Sequence, residues 1–453
     1  MRTVTAAAEL IDSVLALVPL IREHADRIES ARRLPEPVVR ALTEAGVFRW
    51  FVPRSCGGAE GDPVTFCRAV EEFARADGST GWCAMLGGSL GLLGGVLPAA
   101  AAREIFADPG AVVAGTLAPN GVARAVDGGY HLSGRWSFGS GISHSTWVLG
   151  AGRVVDGGAP RLTPSGAPET RLLFVPRPEV ELVDTWHVAG LRGTGSHDYR
   201  VHDRIVPARR ACELAAAPVE PGALYGLPYL TVTTALMAGV ALGIARHALD
   251  ALEELAVVKT PARARTVLRE SPQAQAQIGE AEGLLRAGRA FVYETLEAAW
   301  DTVARGRRLG RQQHGLLWLA GTQAVTQALA AVDLAFRAGG ASSIFVASPL
   351  ERCLRDIRTA AQHHAHTPTN YETAGQLFLG FDLAGTLWGR DYRGDHHEPP
   401  PVGEHVGPPR TGRAVALPAR GGGAAGRRTR PSPVSAPGRG RRPPPLREGG
   451  ARR

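Results

Sequence analysis

Asp127-Gly128-Gly129-Tyr130-His131-Leu132-Ser133-Gly134-Arg135-Trp136-Ser137-Phe138-Gly139-Ser140-Gly141-Ile142-Ser143-His144 is the stretch on which the fold turns. Asp127-Gly128-Gly129 separates two β-type runs, Val122–Val126 and Tyr130–Phe138, and reads as a hairpin turn. The run is open to two readings. One is a hairpin arm with a glycine-rich bend and ordinary core aromatics. The other is a platform for a flat ring such as a flavin. Trp136 or Phe138 would then form an apolar wall, Ser140 or Ser137 would hydrogen-bond the ring edge, and the glycines, Gly141 among them, would admit the backbone closely.

Outward from this arm, short β-type runs at 111–117, 146–154, 171–176, 180–186 and 198–206 predict a small barrel or sandwich of about 100 residues. Before it, apolar periodicity predicts helices at 5–27, about 35–45, 63–77 and 80–97; Asp62-Pro63 is a helix start with a capping acid and a proline at the first turn. After it, long amphipathic patterns at 228–257, 272–304, 310–338 and 348–395 predict a four-helix bundle. The fold class is therefore mostly α with a central β domain. The expected divisions are 1–109 (helical), 110–212 (β), 213–395 (bundle) and 396–453 (tail).

The tail has the composition of a disordered segment, rich in Arg, Pro and Gly and poor in apolar residues. The formal charge of +8 belongs to it. Residues 401–453 hold twelve Arg against Glu404 and Glu448, a balance of +10, which leaves the rest of the chain at −2. A nucleic-acid partner would need a basic face on the folded part, and the charge count gives no reason to expect one. Five scattered cysteines form no C-x-x-C pair, which suggests a reducing cytoplasm. No basic-then-apolar leader opens the chain, and no apolar stretch approaches the roughly 20 residues that span a bilayer. The expectation is a cytoplasmic protein with no membrane partner.

A second segment carries candidate chemistry: Arg355-Asp356-Ile357-Arg358-Thr359-Ala360-Ala361-Gln362-His363-His364-Ala365-His366. Three histidines in four residues raise the question of a metal. Adjacent His363 and His364 point in different directions on a helix, and no acid or Cys stands at ligand spacing, so no metal is expected. Solvated or capping histidines at a helix end are the plain alternative.

The helix–β–helix order, the Gly-Tyr-x-Leu-Ser-Gly-Arg-Trp-x-Phe-x-Ser-Gly string and Gly190-Leu191-Arg192-Gly193-Thr194-Gly195-Ser196-His197-Asp198 resemble the acyl-CoA dehydrogenase fold. More narrowly they resemble its reduced-flavin-dependent monooxygenases, such as 4-hydroxyphenylacetate and hydroxysteroid-phenol hydroxylases and dibenzothiophene monooxygenase. The likeness covers about residues 10–393. It implies a two-component enzyme that takes reduced FMN, or FAD, from a separate NAD(P)H:flavin reductase. It also implies reaction with O2 through a C4a-(hydro)peroxyflavin, an aromatic or polyketide-like small-molecule substrate, and a homotetramer. In the dehydrogenases, Arg-Asp on the last helix is often followed by Tyr-Glu-Gly-Thr, which supplies a carboxylate base. Here Arg355-Asp356 leads instead into Gln362-His363-His364, and Tyr371-Glu372-Thr373 comes several residues late. Glu253 or Glu254 on the first bundle helix is the other place for such a base.

The resemblance makes His363 and Ser140 the catalytic candidates. Ser140 would hold the flavin edge; His363 would orient or deprotonate a phenol-like substrate, or guard the oxygen adduct. Trp82 and His144 are candidates for the substrate pocket, each with a structural alternative, a core Trp and a surface His. Ser342 and Ser343, in a turn that also reads as a helix end, and loop residue Arg263 could meet a flavin phosphate. The competing functions are a flavin desaturase of the dehydrogenase type, an N- or S-oxygenase on the same fold, and non-enzymatic binding through the tail.

Overall fold

The computed structural model describes residues 2–381 apart from 165. The segment 396–453, and the boundary expected at 395, lie outside the described residues. The described residues fall within one compact unit.

The N-terminal helices are α1 (Arg2–Ala31), α2 (Glu36–Glu44), α3 (Pro63–Ala76), α4 (Gly78–Ser89) and α5 (Ala99–Phe106). The Asp62 carboxylate accepts from Thr65 N at 2.7 Å and starts α3. Asp77 ends α3 and caps α4 in turn, accepting from Thr80 N at 2.7 Å and Thr80 Oγ1 at 2.8 Å. The helix expected at 80–97 is thus α4 followed by a tighter 3-10 stretch, Leu90–Gly95. The short α5 was not foreseen.

The strands are β1 (Val113–Val126), β2 (Gly129–Gly139), β3 (Trp147–Asp156), β4 (Ala159–Pro160), β5 (Thr170–Pro176), β6 (Glu181–Val183), β7 (His197–Pro207) and β8 (Ala211–Cys212). They form one eight-stranded sheet in the order β6-β7-β2-β1-β3-β5-β8, with β4 on β3. The pairing of β1 with β3 is parallel; the other pairs are antiparallel. The hairpin at Asp127-Gly128-Gly129 joins β1 to β2, with Val126 opposite Gly129. The sheet has its own apolar core, which includes Leu132, Trp136, Val148, Val154 and Tyr199.

The C-terminal helices are α6 (Tyr229–Val258), α7 (Pro272–Ala304), α8 (Arg311–Gly339), α9 (Pro349–Ala360) and α10 (Thr369–Phe378). Helices α6, α7 and α8 pack on one another, α9 lies on α6 and α8, and α3 packs on α6. One expectation needs correcting. Tyr229–Val258 and Arg311–Ile344 are long and apolar enough, by length and composition, to cross a membrane, with mean hydropathies of 1.4 and 1.2. Here 89 % and 61 % of those apolar windows are buried inside the protein, so the same apolar character serves a bundle core.

Candidate active site

The flavin-platform string ends in a β-bulge. Trp136 pairs with Tyr199, but Gly139 pairs with His197, so β2 carries one extra residue there. That residue step puts Phe138 at φ 66°, in the left-handed region that favours glycine. Its ring is 67 % exposed and stands edge-on to Trp186, with centroids 6.1 Å apart. A non-glycine residue held in this backbone state costs about 1–3 kcal/mol, and here it leaves an aromatic ring turned outward. Gly141, two residues past the bulge, is also left-handed, at φ 73°, and its N–H donates to Thr194 O at 2.9 Å.

Ser140 is buried at the joint between the sheet and the helices. Its Oγ accepts from Trp82 Nε1 at 3.1 Å and lies 2.6 Å from Ser196 Oγ, which lies 2.7 Å from Thr194 Oγ1. The second motif forms this joint. Gly190 passes so close to α9 that a Cβ would sit 2.1 Å from Arg355 O. Leu191, at φ 49°, donates its N–H to Asp356 Oδ1 at 2.6 Å. Asp356 is 3 % exposed, and burial pushes its carboxyl up to about 7.

His363 stands just past α9, at the start of a 3-10 turn spanning His364–His366. Its Nδ1 accepts from Ala365 N at 3.2 Å. Its ring meets Trp82 edge-on, with centroids 5.7 Å apart. Trp82 therefore links the two catalytic candidates: it bonds Ser140 and packs on His363. Burial, then the neighbouring His364 and His366, hold the His363 imidazole well below the usual histidine range. A neutral ring whose Nδ1 accepts carries its proton on Nε2. The His363 Nε2–H has no partner among the described residues and is a donor free for a ligand. His366, centroid 6.3 Å from His363, is buried, and neither of its ring nitrogens has a partner among the described residues. Burial also pushes His144 down to about 4; its ring lies 6.0 Å from that of Phe48.

The other candidates fall elsewhere. Trp136 corrects the sequence expectation. It is fully buried in the sheet core, stacked on Tyr199 at 5.3 Å, and its Nε1 donates to Ala151 O, so it offers no face to a cofactor. Ser137 is half-buried and bonds Asp198. Ser343 is buried and donates to Phe336 O, and Ser342 neighbours it in the turn after α8; no hydrogen bond among the described residues joins either to Ser140 or His363. Arg263 is exposed in the loop between α6 and α7, at φ 67°. Glu253 and Glu254 are exposed, with Glu253 paired to Arg246, and exposed Glu372 bonds Gln376, so none of them is a buried base. Among the described residues no cluster of His, Cys, Asp or Glu could hold a metal ion. Sequence reasoning passed over Thr194, Ser196 and Asp356. All three stand inside the strings that carried the resemblance, and that proximity was the available signal.

These residues suit a flat ring with a polar edge: an exposed aromatic on a strained bulge, a buried hydroxyl beside it and a neutral imidazole donor. Together with the layered helices and sheet, they define a flavin-handling enzyme of the acyl-CoA dehydrogenase fold. Family models for the acyl-CoA dehydrogenase N-terminal and C-terminal domains match residues 11–99 and 235–368. The chain belongs to this family, in its flavin-dependent monooxygenase branch. It is 34 % identical over 368 residues to the indole-3-acetate monooxygenase of Pseudomonas putida, covering 81 % of this chain and 92 % of that one. To the flavin-dependent monooxygenase oxygenase subunit HsaA of Rhodococcus jostii it is 29 % identical, over 82 % of this chain and 98 % of the relative. Among solved structures it resembles XiaF from Streptomyces sp. in complex with FADH2 and glycerol. There the TM-score is 0.78 at 28 % identity, over 84 % of this chain and 97 % of that one. The protein is a flavin-dependent monooxygenase, an oxidoreductase that uses reduced flavin and O2.

Proposed function

We propose that this enzyme hydroxylates a phenol- or indole-like aromatic small molecule, with reduced flavin delivered by a separate NAD(P)H:flavin reductase. The observation that carries the reading is the Ser140–Trp82–His363 connection, which ties a flavin-edge hydroxyl to a substrate-side imidazole through one indole. The relatives' names agree with it: one acts on indole-3-acetate, and another is an oxygenase subunit.

Reduced flavin, when bound, activates O2. The chain's own residues supply the rest. Phe138 offers the ring a face and Ser140 holds its edge. Trp82 excludes water between that edge and His363. His363 is a poor base, because protonating Nδ1 would break its bond from Ala365 N. Its part is to donate Nε2–H to a substrate oxygen or to the oxygen being transferred, fixing the geometry of attack.

We further propose a cytoplasmic homotetramer. Exposed Ile344, Phe345 and Val346, at 64 %, 65 % and 80 %, form an apolar run beside Ser342 and Ser343 that suits burial against another copy. A monomer mass in solution light scattering would contradict that assembly.

The functional reading is tested by one turnover. Anaerobic enzyme with reduced FMN or FAD and a phenol is mixed with oxygenated buffer. Hydroxylated product, formed without NAD(P)H, is expected. No oxygenated product, together with reduction of oxidised flavin by an acyl-CoA in a parallel anaerobic mixture with the enzyme, would overturn the reading in favour of a desaturase.

A further inference from the structure

Three buried hydroxyls stand in a row at the sheet–helix joint, and their protons can be placed. Thr194, Ser196 and Ser140 are 2 %, 3 % and 8 % exposed. Thr194 Oγ1 lies 2.8 Å from Leu191 O, and a carbonyl only accepts, so the Thr194 proton points there. Thr194 Oγ1 must then accept from Ser196, 2.7 Å away, and Ser196 Oγ must accept from Ser140, 2.6 Å away. Trp82 Nε1–H donates into Ser140 from the other side. This direction uses all three hydroxyl protons inside the protein. The reverse direction leaves the Ser140 proton unused and takes the hydroxyl donor away from Leu191 O. That is a net loss of one buried hydrogen bond, worth about 1 kcal/mol.

The end of the row is anchored. Leu191 holds its left-handed backbone with its N–H on buried Asp356, and its carbonyl also receives Trp186 Nε1–H at 3.1 Å. The carbonyl therefore cannot swing away to release the chain.

We propose that Thr194 and Ser196 are positioning residues that orient Ser140 as a hydrogen-bond acceptor toward the flavin, so that the site selects the reduced ring over the oxidised one. With its proton given to Ser196 and one lone pair given to Trp82, Ser140 has a single lone pair left for a ligand. A reduced flavin ring carries an additional N–H, which satisfies that lone pair. The oxidised ring has a bare nitrogen acceptor in its place. To meet it, Ser140 must turn its proton outward, which reverses the row and breaks the bond from Thr194 to Leu191. An oxygenase that receives flavin reduced elsewhere gains from this, because it takes up the competent form and releases the spent one. The inference rests on the proposed reading of Ser140 as the flavin-edge residue.

The test measures binding of oxidised FMN, and anaerobically of dithionite-reduced FMN, to the wild type and to Ser196→Ala, Thr194→Val, Thr194→Ser and Ser140→Ala. Ser196→Ala and Thr194→Val free the Ser140 proton. Each should lower the ratio of oxidised to reduced dissociation constants about tenfold, equivalent to a shift of about 30 mV in the two-electron potential of bound flavin. Thr194→Ser keeps the hydroxyl and should keep the wild-type ratio, which separates lost orientation from disturbed packing. An unchanged ratio in Ser196→Ala and Thr194→Val, with Ser140→Ala still weakening reduced FMN, would overturn the inference alone. If Ser140→Ala leaves both affinities unchanged, the flavin-edge reading of Ser140 falls with it.

Discussion

Trp136 and Phe138 are two residues apart on one strand, and alternation would put both on the same face. The bulge separates them: Trp136 turns into the sheet core, and Phe138 turns out at 67 % exposure. The string suggested a ring platform, but which aromatic faces outward depends on the register with β7, some sixty residues on. No local pattern carries that register. Ser140 became a candidate through the family resemblance, the residues alone leaving it level with Ser137; its partners Ser196 and Thr194 were not candidates, since their hydroxyls meet it only through the fold. The strained backbone at Phe138 gives a prediction. Phe138→Gly relieves the left-handed conformation, so its melting temperature should equal or exceed the wild type's, while reduced-flavin affinity falls about tenfold or more. A lower melting temperature with unchanged flavin affinity would show that Phe138 is structural.

At the scale of elements, α9 ends at Ala360 and places two candidate residues on opposite sides of that end. Asp356 points from the helix into the Gly190–Ser196 joint, and His363 follows in the turn beyond it. Sequence periodicity gave one interrupted helix over 348–395, because breaks at a short 3-10 turn leave no strong signal in apolar spacing. The same limit hid α5, whose alanine-rich run is too short to show a period. Asp356 also makes stability pH-dependent. Its native carboxyl titrates near 7, above the unfolded value of 3.8, so the folded state holds the proton through that window. Stability from this group is complete below about pH 4 and is lost as pH rises through 7. Asp356→Asn keeps an acceptor for Leu191 N and removes the ionisation. Relative to the wild type it should gain up to about 4 kcal/mol between pH 4 and pH 8, read from urea unfolding at several pH values. A constant difference across that range would show that Asp356 does not titrate there.

For the whole molecule, the order of helices, β layer and bundle was readable, because long amphipathic runs and turn-punctuated strands differ in period. The charge division was readable too: it assigned the basic character to 401–453 and left a slightly acidic enzyme body. What could not be read was the joint. Trp82, Ser140, Ser196, Asp356 and His363 come from α4, the β2 end, the β7 approach, α9 and the turn beyond it, and only tertiary packing brings them together. The central claim is that oxygen transfer occurs at this joint, with His363 as a neutral donor. The most direct measurement is the amount of hydroxylated product per reduced flavin oxidised, compared between wild type and His363→Ala at pH 7 to 8. The account predicts that His363→Ala still binds and oxidises reduced flavin but diverts most turnovers to hydrogen peroxide, at least tenfold less product per flavin. Unchanged, fully coupled hydroxylation in His363→Ala would contradict it.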